Sequence, residues 1–123
     1  MKDALLQAKY INLETFRKNG NGVKTPVWFV TEEEKIYVLT RESTGKVKRL
    51  AKNPKVNFAP CSFSGDIKGD WFSGTAVLIT GDDAKNAVKL RKKKYGFKAI
   101  LAGFMTKTKG DTVVYSITPN FED

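Results

Sequence analysis

Short apolar runs separated by polar turns make up most of the chain. Residues 10–16 alternate apolar and polar side chains, which is typical of a strand with one buried face. The Asn19-Gly20 turn separates this run from residues 23–30, because Asn-Gly accepts a positive φ at little cost. Further strands are predicted at residues 35–39, 56–63, 71–80 and 112–118, the last ended by Pro119. The pattern therefore predicts about six strands.

A few stretches have helical spacing instead. Residues 3–9 predict a short helix or turn, and Val47, Leu50 and Ala51 predict a second helix that ends at Asn53-Pro54. Longer helices are predicted at residues 81–94 and 97–105. Because strands dominate and tight turns join the early ones, the expected fold is mainly β with short helices, a small antiparallel barrel.

Length and composition favour one domain that covers residues 1–123, with 41% hydrophobic and 28% charged residues. No apolar run approaches the roughly 20 residues that span a bilayer. The first residues are too polar for a secretory signal, and the single Cys61 cannot form an internal disulfide. We therefore expect a cytoplasmic protein that is not embedded in a membrane.

The formal net charge of +9 favours anionic ligands, whether nucleic acid, membrane surfaces or phosphate-bearing small molecules. The chain contains no histidine, which excludes Ser-His-Asp catalysis and histidine-ligated metal or haem. One cysteine cannot build a cysteine zinc site either, so no metal site is expected. We predict no catalytic side chain: in an enzyme of this composition, a bound cofactor would supply the reactive atoms.

Residues 40–50 form the strongest candidate site. An apolar strand enters a polar turn that contains Ser43 and Thr44, and a helix follows. Hydroxyl groups and amide N–H groups at a helix start bind anions. Lys46 and Arg49 lie three residues apart, so both project from one side of the helix and can converge on one ligand. This stretch is predicted to bind phosphate.

Other features admit ordinary structural explanations. Pro26 within a strand indicates an edge, a bulge or a ligand-facing position, and Gly74 indicates a close approach of backbone or ligand. Trp28 and Trp71 are more often core residues than platforms for a ring. The basic run at residues 91–94 is typical of a solvated helix end, and Cys61 of a buried structural thiol.

Several motifs in order resemble the pyridoxamine 5′-phosphate oxidase-like split β-barrel flavoproteins, and among them the subgroup that binds the deazaflavin coenzyme F420. The matching segments cover most of the chain, at residues 19–20, 25–29, 36–40, 45–50, 53–56, 71–76 and 94–96. The resemblance implies a six-stranded split β-barrel and a homodimer, with one FMN or F420 per subunit bound at the subunit interface.

The resemblance also implies roles for particular residues. The ring system would lie along Pro26, Val27 and Trp28, with Leu39 and Thr40 beside the ring and its ribityl arm. The phosphate would be held at the helix start by Ser43, Thr44, Gly45 and Lys46, with Arg49 close by. Residues 71–76, including Trp71 and Ser73, would face the cofactor of the partner subunit.

The implied activity is hydride transfer between the cofactor and a small organic acceptor. Members that oxidise pyridoxamine phosphate carry basic and histidine residues near the C-terminus, whereas residues 116–123 contain neither, which argues against that substrate. Two alternatives stay open: a basic barrel that binds nucleic acid, and a flavin carrier or sensor without turnover. The basic residues cluster at turns and helix ends, which argues against the nucleic-acid alternative.

Overall fold

The computed structural model describes residues 2–96 and 112–121. Within them the chain forms three helices and six strands. The helices are α1 (Asp3–Gln7), α2 (Gly45–Lys52) and α3 (Gly81–Tyr95). The strands are β1 (Tyr10–Phe16), β2 (Gly22–Glu32), β3 (Lys35–Arg41), β4 (Lys55–Cys61), β5 (Phe72–Ile79) and β6 (Thr112–Asn120). The predicted helix over residues 97–105 lies outside the described residues.

The six strands close into one antiparallel barrel in the order β1, β2, β3, β6, β5, β4. The prediction of a six-stranded, mainly β barrel is confirmed. The predicted end of the last strand is wrong, because β6 continues through Pro119, which lies opposite Gly74. β3 pairs with β6 only as far as Ile117, so the missing amide of Pro119 can face an unpaired side.

β2 changes partner along its length. Its first part, residues 22–28, pairs with β1, and only residues 29–32 pair with β3. Pro26 therefore lies where β2 has one neighbouring strand, and an edge is one of the three explanations that the sequence leaves open. No other described strand pairs with the second side of this segment.

Apolar side chains fill two adjoining regions. The barrel interior holds the larger cluster, with Phe29, Ile36 and Phe58 fully buried, and Leu5 of α1 joins it. A second cluster forms where α3 packs on the outside of the barrel and covers residues of β2, β3 and β6. Burial of these side chains holds α3 against β2, the strand that contains Pro26.

Gly74 of β5 is required by the packing of the barrel. A Cβ at this position would lie 2.8 Å from the carbonyl oxygen of Thr118 and 2.9 Å from Cγ2 of Ile117. The close approach indicated by the sequence is thus with the backbone of the neighbouring strand.

We expect Gly74→Ala to lower the free energy of unfolding by about 1–3 kcal/mol, because backbone and core atoms would have to move apart. Urea denaturation measures the change. Thr75→Ala, at the exposed neighbouring position, is the matched control and is expected to have little effect. Equal stability of Gly74→Ala and the wild type would contradict this interpretation.

Candidate functional site

The turn between β3 and α2 leaves the start of α2 without a side-chain cap. The Thr44 hydroxyl donates to the Arg41 carbonyl oxygen at 2.9 Å and lies 3.3 Å from the hydroxyl of Thr40. Thr44 is the N-cap residue, yet its side chain makes no hydrogen bond to the amides of the first turn. Amide groups in the first turn of a helix attract anions when no side chain satisfies them.

Lys46 adds a partly buried positive charge to this helix start. Burial lowers the pKa of its ammonium group, and the nearby guanidinium group of Arg49 lowers the pKa further. Within the described part of the chain, Lys46 makes no hydrogen bond or ion pair with an acidic side chain. A half-buried cation beside a second cation is stabilised by a bound anion, because the anion replaces the lost hydration.

Arg49 is fixed by a contact inside the fold. Its Nε donates to the hydroxyl of Thr15, a fully buried residue of β1, at 2.6 Å. The guanidinium group then lies across the start of α2, where a Cβ on Gly45 would be 2.8 Å from Nη1 of Arg49. Glycine at position 45 therefore leaves room for this guanidinium group next to the first amides of the helix.

Trp71 and Ser73 line a separate cavity of about 510 Å³ near the end of the barrel where β5 begins. Asp70, Phe72 and Asn120 complete its wall. Trp71 is 38% exposed, and the ammonium group of Lys24 lies 5.0 Å from the centre of its indole ring. An exposed indole at the mouth of a cavity offers a flat apolar surface to a ring.

The side chains near residues 22–28 of β2, the segment that pairs with β1 alone among the described strands, differ in how they can contact a ligand. Pro26 is exposed, but Val27 and Leu39 are buried in the two apolar clusters. Any contact of Val27 or Leu39 with a ligand would therefore come from the backbone. The Thr25 hydroxyl oxygen is buried and has no hydrogen-bond partner among the described residues. An unsatisfied buried hydroxyl of this kind is uncommon in folded proteins.

Trp28 is held by Tyr95, the last residue of α3. The two rings stack with centroids 4.5 Å apart and planes 14° from parallel. The Tyr95 hydroxyl accepts the Phe29 amide at 3.0 Å and lies 2.5 Å from the Lys9 carbonyl oxygen. The Tyr95 hydroxyl thus links the chain segments next to the last residue pair of β1 and β2. Burial raises the pKa of Tyr95 to about 12. Tyr95 occupies one face of Trp28, so a ligand can stack only on the other face.

The basic run at the end of α3 is not a uniformly solvated helix end. Lys92 and Lys93 are exposed as expected, whereas Arg91 is half-buried. Lys94 is exposed as a whole residue. Its ammonium group nevertheless lies 3.5 Å from the centre of the Phe29 ring and donates to the Phe29 carbonyl oxygen at 2.9 Å. Desolvation lowers the pKa of Lys94 to about 8.

This pKa predicts how stability depends on pH. Between about pH 8 and the ordinary lysine value of 10.5, the unfolded chain binds more protons at this position than the folded chain does. The free energy of unfolding of the wild type should therefore rise with pH in this window, relative to that of Lys94→Gln. Urea denaturation across the window measures the difference, with Lys92→Gln as the control for an exposed lysine. A constant difference between the wild type and Lys94→Gln would contradict the prediction.

The predicted site residues fall into separate groups within one chain. Thr44, Gly45, Lys46 and Arg49 surround the start of α2, and Trp71 and Ser73 line the cavity at β5. Trp28 and Pro26 lie on β2, whose Lys24 places its ammonium group 5.0 Å from the centre of the Trp71 ring. Sequence reasoning missed Thr15 and Thr25, because neither burial nor an unsatisfied hydroxyl can be seen without the fold.

Three further observations concern the helices, the potential metal ligands and the cysteine of the described residues. No helix among the described residues is both long and apolar enough to cross a membrane. The same residues contain no group of three or more histidine, cysteine or acidic side chains that could hold a metal ion. Cys61 is a free, buried thiol, as expected, and burial together with Asp66 raises its pKa. A raised pKa makes this cysteine a poor nucleophile.

The fold is a small antiparallel barrel in which the uncapped start of α2 lies beside Lys46 and Arg49. The family model described as pyridoxamine 5′-phosphate oxidase matches residues 1–120. This chain belongs to that family. A comparison with curated protein sequences gave no significant match.

Solved structures share the fold at low sequence identity. HutZ, the haem storage protein from Vibrio cholerae, is 17% identical with a TM-score of 0.69, over 98% of this chain and 87% of its own. A protein proposed to be a pyridoxamine 5′-phosphate oxidase, from Listeria innocua, is 16% identical with a TM-score of 0.67, over 95% and 88%. A proposed 5-nitroimidazole antibiotic resistance protein from Bacteroides thetaiotaomicron is 15% identical with a TM-score of 0.70, over 95% and 76%. These similarities establish the fold alone.

Proposed function

We propose that this protein is an oxidoreductase that uses FMN or F420 and transfers a hydride to a small organic acceptor. The observation that carries the proposal is Lys46: a half-buried ammonium group at an uncapped helix start, beside Arg49 and without an acidic partner among the described residues. This arrangement fits the phosphate group that FMN and F420 both carry. A bound cofactor of this class supplies the ring that takes up and releases the hydride.

The remaining site residues fit a ring that lies between two copies of the chain. The start of α2 and the Trp71 cavity are separate within one copy, so one subunit can hold the phosphate while its partner covers the ring. These residues bind and orient the cofactor, and closure by the partner subunit would exclude water from the reacting atoms.

Haem is the main alternative, because some structures with this fold are named as haem proteins. HutZ is one, and another is a haem binding protein from Mycobacterium smegmatis with a TM-score of 0.66 and 14% identity. The present chain has no histidine to ligate iron. Cys61 is buried with a raised pKa, which disfavours the thiolate that would bind iron. The residue types thus favour a flavin-type cofactor.

Titration of the purified protein with FMN, F420 and hemin tests the proposal. We expect one of the first two ligands to bind at one equivalent per chain and to be reducible while bound. Saturable hemin binding without binding of FMN or F420 would contradict the proposal. Cofactor binding without oxidation of the reduced cofactor by any acceptor from a panel of quinones, enones and nitroaromatic compounds would instead favour a carrier.

A further inference from the structure

A second basic cavity lies between α2 and the hairpin that joins β1 to β2. Its volume is about 330 Å³, within the range that admits a small ligand. Five basic side chains line it: Arg17, Lys18, Lys48, Arg49 and Lys52. Phe16 supplies an apolar part of the wall, and none of the lining residues in the described ranges is acidic. The cavity is therefore a small, open surface pocket with an excess of positive charge.

The helix period explains how these charges come together. Gly45, Lys48, Arg49 and Lys52 recur at i, i+3, i+4 and i+7, so they share one face of α2. Leu50 is buried in the barrel core on the opposite face. The end of β1 and the following turn bring two more basic residues to the same place. Two separate segments thus direct cations into one cavity.

Arg49 and Arg17 show that these charges interact. The Arg49 guanidinium is fixed by its 2.6 Å hydrogen bond to the buried Thr15, so it cannot turn freely towards solvent. The pKa of Arg49 is lowered by burial and by the nearby charge of Arg17. Neither guanidinium forms an ion pair with a carboxylate among the described residues. Fixed like charges without a counter-charge make a multiply charged anion a favourable occupant.

This cavity differs from the proposed cofactor phosphate site. Lys46 does not line it, although both sites border Gly45 and Arg49. Arg17, Lys18, Lys48 and Lys52 contribute only to the second cavity.

We propose that the cavity between α2 and the β1–β2 hairpin binds a compact oligophosphate, separately from the cofactor. Guanidinium groups form paired hydrogen bonds with phosphate oxygens, and lysine ammonium groups add point charges. Five cations match the charge of a tripolyphosphate better than that of a tricarboxylate such as citrate. The volume of about 330 Å³ suits a compact anion, whereas a nucleic-acid strand would need a groove several nucleotides long.

Calorimetric titration of the full chain with tripolyphosphate, with and without saturating FMN, tests the proposal. We expect binding at one equivalent per chain in both conditions, and weaker binding of citrate at equal ionic strength. Lys48→Gln/Lys52→Gln should weaken tripolyphosphate binding by at least about tenfold, because two charge-assisted contacts are lost. Lys89→Gln/Lys92→Gln makes the same change of net charge on the exposed face of α3 and should change the affinity less than about twofold.

Three results would overturn the proposal. Equal weakening of binding by the two double variants would assign the effect to net charge alone. Displacement of tripolyphosphate by FMN would make the two sites one. Tighter binding of a single-stranded oligonucleotide than of tripolyphosphate through the same lysines would make nucleic acid the ligand. Lys46→Ala should leave tripolyphosphate binding intact, so failure of this proposal and failure of the proposed cofactor site can be told apart.

Discussion

Replacing Lys46 with alanine is expected to weaken FMN or F420 binding by about 10- to 100-fold, because a charge-assisted hydrogen bond to phosphate contributes roughly 1.5–3 kcal/mol. The ammonium group of Lys46 is half-buried at the start of α2, so no other described lysine can replace it there without a change of backbone. Fluorescence titration with each cofactor measures the loss.

The fold should survive this substitution. The pKa of Lys46 is lowered by burial and by Arg49, so its charge is a cost to the cofactor-free protein. We therefore expect the free energy of unfolding of Lys46→Ala without cofactor to equal or exceed that of the wild type. Lys55→Ala, an exposed lysine on β4, is the matched control and should keep wild-type affinity. Unchanged cofactor affinity in Lys46→Ala would show that the phosphate binds elsewhere.

Replacing Val77 with aspartate is expected to convert the proposed homodimer into a monomer. Val77 and Leu78 are 56% and 53% exposed on β5, the strand whose first residues are proposed to cover the partner's cofactor. In a symmetric dimer each substitution occurs twice, and an unpaired carboxylate buried at an interface costs several kcal/mol. The dimer dissociation constant should rise by at least about a thousandfold, as measured by analytical ultracentrifugation.

Cofactor affinity should fall together with dimerisation, because the ring would lose the surface that the partner provides. Val88→Asp is the matched control, since Val88 is also an exposed valine, 38% exposed, but lies on α3. This control should stay dimeric and bind cofactor normally. A dimeric Val77→Asp protein with normal cofactor affinity would show that β5 does not form the interface.

The strands of the barrel could be predicted because the sequence pattern that marks each strand lies within that strand and the turns beside it. Alternating side chains mark residues 10–16, and Asn53-Pro54 marks the end of α2 at Lys52, as observed. The end of β6 was harder to predict. Proline usually ends a strand, but Pro119 lies where β6 has a neighbour on one side only. Whether a strand is an edge depends on its partners, which the local pattern does not contain.

The candidate site was predictable only in part. Spacing alone indicated that Lys46 and Arg49 share one side of α2, and the charge of Arg49 does act on Lys46. The contact between Arg49 and Thr15 joins residues 34 positions apart, and the bond from Lys94 to Phe29 spans 65 positions. Such pairs arise from barrel closure and from the docking of α3. This is why the second basic cavity and the desolvated ammonium group of Lys94 were not predicted.

The ligand that copurifies with the protein decides whether the chain carries a flavin-type cofactor at Lys46. Absorbance spectroscopy and mass spectrometry of the released ligand identify the cofactor without any assumption about the substrate. We expect a flavin or deazaflavin spectrum, with a mass of FMN or of F420 bearing its glutamate tail, and loss of that ligand in Lys46→Ala. A haem spectrum, or a protein that copurifies with neither FMN nor F420 and binds neither when supplied, would contradict it.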